Sequence, residues 1–429
     1  MRKHLLWCGL AAMAWGCSTE KHSRFDRADF SKPDFFPILP WDPYRGWDRS
    51  VVKGRVDGLE SIAQCNFNMA GFIVPKDLPR CQKLGLGAIL LPTDATFTNV
   101  QNIYEWRKLT DGQIDGRVKF MVAAAKASPA VVGYFITDEP GAADFPALAK
   151  AVAAVKKYAP GKLAYINLFP DYATMGSDAS SQLGAASYRE YLERFVAEVH
   201  PQVLSYDNYM VQYSRDLRDS ATAASYYRNM LEVRRVGLEH RLPFMNIVAS
   251  CQLRPDATIP SPADLLFQAC TTLAAGYRGI TWYTYFGDFY PYAPIAKTGE
   301  RTATWAAVRE ANRQIATLAP IMSRLESTGV FFSAPPPASG LPILPGELIQ
   351  SAACPTPVMV GEFKDKDGGR FAMIVNLSLE QSAAFKLKPV SPEIQISVIS
   401  AVDCSKTPFD SKTGLWLTPG QGVLLALEN

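Results

Sequence analysis

Residues 131–141 read VVGYFITDEPG, and the reading of that stretch decides the fold. The run stays apolar from Val131 to Ile136 and then meets two adjacent carboxylates, Asp138 and Glu139, followed by Pro140. A run without polar alternation suits a strand buried on both faces, and Pro140 has no N–H with which to continue a ladder, so the two acids stand where the strand stops. Parallel α/β folds carry their chemistry at that end of their strands. Residues 146–158, PALAKAVAAVKKY, follow with the spacing of an amphipathic helix and complete a strand, acidic turn and helix unit. Asp-Glu-Pro also serves as a plain turn and helix start, so the tripeptide alone leaves structure and chemistry equally open.

The same rhythm continues on both sides. Apolar runs with polar endings lie at 35–44, 68–75, 87–94, 162–171, 203–211, 243–252 and 279–288, eight in all with the first. Helical patterns separate most of them, at 56–64, 76–83, 118–127, 187–199, 221–238 and 262–275. Eight alternating units over about 300 residues predict an α/β fold of the (β/α)8 TIM-barrel type across 35–332. An open doubly wound sheet would carry a glycine-rich phosphate turn after its first strand, and PWDPYRGWD contains none. A long amphipathic helix is expected at 302–326 to close the barrel. Residues 333–345 are dense in Pro, Ser and Gly and mark a domain boundary. Beyond them, short alternating stretches punctuated by Asp-Gly-Gly, Ser-Pro and Pro-Gly predict a small C-terminal antiparallel β-sandwich over 346–429.

The N-terminus has its own logic. Arg2 and Lys3 precede a short apolar run at 5–15 and then Gly16-Cys17. The run is too short to span a bilayer, which predicts a cleaved export signal over 1–17 and a polar tether over 18–34. A small residue before a cysteine resembles the lipobox of bacterial lipoproteins, which would make Cys17 the lipidated residue and place the protein in the cell envelope, in the periplasm or at the outer membrane. An ordinary signal peptide with an incidental cysteine is the alternative. Export permits disulfides, with Cys354–Cys404 and Cys65–Cys81 as the pairs to test. No CxxC or Cys/His cluster occurs, so no metal site and no cofactor are expected.

Elimination narrows the chemistry. The chain has 429 residues with 48% hydrophobic and 20% charged content, an ordinary globular composition, and its net charge of +3 is spread without a basic run. Nucleic acid is therefore not an expected partner. Of the four histidines, His4 and His22 fall in the signal and tether, while His200 and His240 follow helical patterns and belong to the opposite end of a barrel from the acids. Ser-His-Asp hydrolysis and His-ligated metal catalysis find no support there. What the strand ends offer is Trp41, Asp42, Asn68, Asp94, Asp138, Glu139, Asn167, Asp171, Tyr206, Asp207, Asn208, Tyr209, Gln252, Trp282, Tyr283, Tyr285 and Asp288. Acids and amides hydrogen-bond hydroxyls and aromatic faces cover the apolar side of a sugar ring, so the collection suits a neutral carbohydrate, and an acid pair can cleave a glycosidic bond. Singly, each has a bland reading: Trp282 and Tyr285 as barrel packing, Asp94 and Asp171 as helix N-caps, Asn68 as the partner of a buried turn.

GYFITDEP, with Glu139 last on its strand, resembles the acid/base segment of the clan A barrel glycoside hydrolases. LSYDNY and GITWYTYFGD are similar to that clan's strand-six tyrosine and strand-eight tryptophan segments, and the exit from the barrel at 308–330 into a β-sandwich resembles the family 42 β-galactosidases. The resemblance implies a glycoside hydrolase with Glu139 as general acid/base; from the strand-end collection, Trp41, Asp42, Asn68, Asn167, Tyr206, Tyr209, Gln252, Trp282 and Tyr285 are the residues expected around the substrate. Two departures stand out: Asp138 replaces the clan's Asn, and PFMNIVASCQ ends without the nucleophilic glutamate of strand seven. Asp207, inside the apolar run SYDNYMV where an uncompensated charge is costly, is then the expected second carboxylate, with Asp138 orienting substrate. Adjacent Asp-Glu is also similar to the family 20 hexosaminidases, in which the substrate's acetamido group attacks. A non-catalytic carbohydrate-binding lipoprotein on the same barrel is the rival from another class.

Overall fold

The computed structural model describes residues 35–41, 51–52, 55–56, 58–91, 105–177, 180–213 and 223–428; the expected signal and tether, Cys17, Asp42 and Asp94 lie outside them. Each of the eight expected runs contains a strand: β1 (Ile38–Trp41), β2 (Met69–Ile73), β3 (Gly87–Leu90), β4 (Val131–Asp138), β5 (Leu163–Leu168), β6 (Leu204–Asp207), β7 (Phe244–Ala249) and β8 (Ile280–Tyr283). All pair in parallel, in the hydrogen-bonded order β1, β8, β7, β6, β5, β4, β3, β2. Among the described residues, eight α-helices alternate with them: α1 (Gly58–Gln64), α2 (Leu78–Leu84), α3 (Asp111–Ala124), α4 (Phe145–Tyr158), α5 (Tyr188–Val199), α6 (Ala223–Glu239), α7 (Pro262–Ala274) and α8 (Ala303–Met322).

Strand residues divide by which way they face. Leu39, Trp41, Phe72, Ile89, Phe135, Leu163, Tyr165, Val203 and Ile247 form one buried cluster inside the barrel, whereas Ile38, Tyr134, Ile166, Tyr206 and Trp282 pack outward with the helices in another. The seam between β1 and β2 carries a side-chain stitch. Asn68 accepts from the Ile38 N–H and donates to the Phe36 carbonyl, both at 2.8 Å, in place of backbone ladder bonds. Its position at the start of β2 puts it at the end of the barrel opposite the acids, so the expectation that it meets substrate is replaced by this structural role.

The C-terminal region is a sandwich of two antiparallel sheets. Its strands are β9 (Glu326–Phe332), β10 (Ile349–Ala353), β11 (Val358–Lys364), β12 (Arg370–Asn376), β13 (Ala383–Pro389), β14 (Gln395–Ile399), β15 (Lys406–Pro408), β16 (Leu415–Leu417) and β17 (Gly422–Glu428). The large sheet runs β9, β11, β12, β17, β14, β15 and the small one β10, β13, β16. Ile349, Val360, Ile374, Phe385 and Leu425 fill the space between them. The other face of the large sheet, with Met359, Phe363, Met373 and Leu424, joins the hydrophobic cluster of the barrel helices. Contact there is tight enough to require glycine: a Cβ on Gly361 would lie 1.9 Å from the Ala274 carbonyl oxygen at the end of α7. Within the sandwich, buried Glu362 accepts from the N–H groups of Glu347, Leu348 and Ile349, pinning the approach to β10.

Two sequence expectations change here. The closing helix stops at Met322, and Glu326, expected at its end, opens β9, the edge strand paired with β11. The chain thus enters the C-terminal sheet before the Pro-rich stretch, which is a connection inside that β region. The second change concerns cysteines. Cys65, Cys81, Cys251, Cys270, Cys354 and Cys404, the cysteines among the described residues, form no disulfide, and Cys404 Sγ instead faces the Thr317 carbonyl of α8 at 3.0 Å.

Candidate active site

Glu139 owes its place to the end of β4. The pairing of β4 with β5 shifts register between Phe135 and Thr137, a bulge that re-aims the last side chains of the strand, and the indole N–H of Trp106 takes the Ile136 carbonyl at 2.8 Å. Asp138 then pairs in register with Asn167, and Glu139 follows with φ of 47°, a left-handed backbone that a non-glycine residue adopts at some cost. The strain is held from both sides. Glu139 N–H donates to the Asn167 carbonyl at 2.9 Å, and Tyr191 on α5 donates its hydroxyl to the Pro140 carbonyl at 2.7 Å. Neighbouring carboxylates are thereby sent in different directions, Asp138 half-buried and Glu139 exposed at the mouth.

Two strands along the sheet from β4, β6 alternates so that Ser205 and Asp207 face inward while Tyr206 packs outward. Asp207 is 4% exposed and shares a partner with Asp138. The Asn167 amide nitrogen donates to Asp138 Oδ1 at 3.0 Å and to Asp207 Oδ1 at 2.8 Å. Ser205 Oγ donates to Asn167 Oδ1 at 3.1 Å, and Tyr165 lies 2.9 Å from Ser205. Beneath this group, Trp41, Phe72, Phe135 and Tyr165 form an aromatic floor, with ring centroids 4.8 Å apart for Trp41 and Phe72 and 4.3 Å for Phe72 and Phe135. Tyr209, Tyr283 and Tyr290 line up beside it, with successive centroids 5.3 and 5.7 Å apart.

Three carboxyls above an apolar floor resist full ionisation. Burial pushes Asp138 up to about 6, partly offset by the Asn167 hydrogen bond. Loss of hydration raises Glu139 as well, with the charge of Asp138 adding to it, and water on the exposed side of Glu139 tempers the shift. Asp207 is held well above the usual carboxylate range, first by burial and then by the charges of Glu139 and Asp138. Asp171 is also raised to about 6 by burial, but Ser225 donates to its carboxyl and Asn229 accepts from its N–H, which ties it to α6.

The other predicted residues separate cleanly. Tyr209 stands at the mouth. Trp41 does too, but as buried floor, 1% exposed. Tyr206, Trp282 and Tyr285 do not line the mouth: Tyr206 meets the Tyr277 hydroxyl, Trp282 donates to Asn312 at 2.7 Å, and Tyr285 donates to Ser61 at 2.7 Å, all in the layer between barrel and helices. Gln252 spends its amide N–H on the Ala257 carbonyl of its own loop at 2.7 Å. Asn167, 2% exposed, is committed to the acids. The residues missed are Ser205 and Tyr165, which share the inward parity of Asp207 and Asn167; Tyr283, one of the strand-end residues but not of the expected substrate set, lies beside Tyr209. Among the described residues, no group of three or more His, Cys, Asp or Glu is arranged to hold a metal ion.

No protein-family model and no curated protein matches the chain. Solved structures do. A glycoside hydrolase family 5 structure from Bacteroides vulgatus aligns with a TM-score of 0.52 at 11% identity, covering 92% of this chain and 90% of that one. Another, described as a glycoside hydrolase, aligns with a TM-score of 0.51 at 12% identity, covering 92% and 93% respectively. At such identities the likeness is one of fold, and it spans the barrel together with the β region that follows.

Proposed function

We propose that this chain is an exported, lipid-anchored glycoside hydrolase that cleaves an O-glycosidic bond in an oligo- or polysaccharide, with Glu139 as general acid/base and Asp207 as the second catalytic carboxylate. Asp138 orients substrate, and Tyr209 with Tyr283 offers ring surface for a sugar. The observation that carries the reading is the gathering of three carboxyls at the C-terminal ends of β4 and β6, in surroundings that keep a proton on the cluster. The charge of Glu139 raises Asp207, and the charge of Asp138 raises both, so the cluster retains a proton above the ordinary carboxylate range. Placed on Glu139, that proton serves the leaving oxygen while Asp207 stabilises or attacks the sugar cation.

The sign of the pH dependence follows. Asp138 loses its proton through about 6, and the charge-bearing form of the cluster is the working one, so reducing-end release should rise with pH up to that region. It should fall again as Glu139 loses its proton above the ordinary carboxylate range. A profile with both limbs below pH 5 would contradict these environments.

One observation favours a second reading. β7 ends at Ala249 and continues into Ser250 and Cys251, both buried, with no carboxylate where clan A barrels place a nucleophile. A carbohydrate-binding protein without turnover would look the same at that strand, and would bind glycans while releasing no reducing ends. A substrate-assisted route through Asp138 and Glu139 also dispenses with β7. Lipid anchoring rests on the Arg2, Lys3, apolar run and Gly16-Cys17 order. Cys17→Ser should abolish lipid labelling and release the protein from membranes; unchanged membrane association would remove the anchor from the proposal.

A further inference from the structure

We infer that Asn167 is a positioning residue for the carboxyl cluster, its amide locked by a Tyr165–Ser205 hydroxyl relay so that both amide hydrogens face Asp138 and Asp207, and that it does not bind sugar. The inference deepens the proposed hydrolase site and rests on that reading only for its catalytic consequence. Donor directions carry the argument. A flipped amide would set Asn167 Oδ1 against two carboxylates, so Nδ2 must be the atom at 3.0 Å from Asp138 and 2.8 Å from Asp207. Asn167 Oδ1 can only accept, so the single Ser205 hydroxyl hydrogen goes to it at 3.1 Å. Ser205 has no second hydrogen, and the 2.9 Å contact with Tyr165 therefore runs from the Tyr165 hydroxyl to Ser205 Oγ.

Every hydrogen in the relay thus points toward the acids, an arrangement in which successive bonds polarise one another. Register makes it possible: Asp138, Asn167 and Ser205 are neighbours across β4, β5 and β6. Asn167 also reaches the third acid, because its carbonyl holds the Glu139 N–H at 2.9 Å. With both amide hydrogens spent and 2% exposure, it has nothing left to offer a hydroxyl. The surrounding phenols Tyr209, Tyr283 and Tyr191 are neutral and held above their ordinary range by burial, so the Asn167 amide supplies the side-chain hydrogen bond that favours ionised Asp138 and Asp207, joined at Asp207 by a backbone hydrogen bond.

The test is a carboxyl titration that needs no turnover. In protein with 13C-labelled aspartate carboxyls, Asn167→Ala should move the Asp138 and Asp207 midpoints upward by about one pH unit, since a hydrogen bond to the charged form is lost. Ser205→Ala and Tyr165→Phe, which leave Asn167 in place and keep the inference testable if Asn167→Ala does not fold, should move them in the same direction by about half as much. If the chain is a hydrolase, the acid limb of its pH profile should shift in parallel. Folded variants with unmoved aspartate midpoints would overturn the inference, as would Asn167→Ala weakening sugar binding while both midpoints stayed put. Shifted midpoints in a protein that hydrolyses nothing would uphold the positioning role and remove the hydrolase reading instead.

Discussion

Glu139→Gln is expected to lower turnover by at least about a hundredfold on a glycoside with a poor leaving group, while leaving oligosaccharide binding in place. Gln keeps the size of the side chain, and the backbone that aims it is held independently by the Asn167 carbonyl and by Tyr191 on the Pro140 carbonyl. What the variant lacks is a proton acidic enough to give to the departing oxygen. The loss should shrink for an activated aryl leaving group, which needs little protonation, and that contrast separates an acid from a residue that merely shapes the mouth. Full activity of the variant on the poor leaving group would end the assignment.

Asp207→Asn should reduce turnover as severely and at the same time make the protein more stable at neutral pH. Asp207 is buried with its pKa held above the unfolded value, so folding must carry an unfavourable charge once that charge forms. Below the ordinary carboxylate range the group is protonated in both folded and unfolded chains and contributes nothing. As pH rises from there toward the folded pKa, the folded state keeps the proton that the unfolded state has lost, and stability falls. Asparagine removes the penalty and still accepts from the Asn167 amide. The melting temperature should rise by about 1–3 °C at pH 7, with the gain vanishing toward pH 3. In the substrate-assisted route, Asp207→Asn costs little activity and Asp138→Asn takes its place, so the pair of variants distinguishes the mechanisms.

The barrel was legible because its signal repeats. Each strand run ends in polar residues and each is followed by a helical pattern, so a boundary error, even one of seven residues at the start of α3 (118 against Asp111), leaves the architecture intact. The C-terminal sandwich was legible from its own short alternating runs and turn punctuation, except at β9: Glu326 follows α8 closely, and nothing in its composition announces that the chain has changed from helix to sheet edge. The candidate carboxyl cluster was legible at Asp138, Glu139 and Asp207 because charges inside apolar runs stand out. It was not legible at the aromatics, where the deciding quantity is parity. Trp282 and Tyr283 are adjacent and equally apolar, yet β8 turns Trp282 to Asn312 and leaves Tyr283 beside Tyr209. Once Asp207 is placed inward, Ser205 must face inward and Tyr206 outward, so period two alone would have exchanged them. Asn68 and Asn167 illustrate a different limit. Both amides end bonded within the protein, half-buried Asn68 to the backbone of Phe36 and Ile38 at the seam and buried Asn167 to the acids, and only the three-dimensional partner tells stitch from ligand contact.

The most direct measurement is the appearance of new reducing ends when purified wild-type protein and Glu139→Gln are each incubated near pH 6 with a panel of neutral oligosaccharides, binding being followed on the same panel. The account predicts that at least one oligosaccharide is bound by both proteins and cleaved by the wild type alone. Binding by both with no reducing ends released from any member would contradict it and leave a carbohydrate-binding barrel in its place.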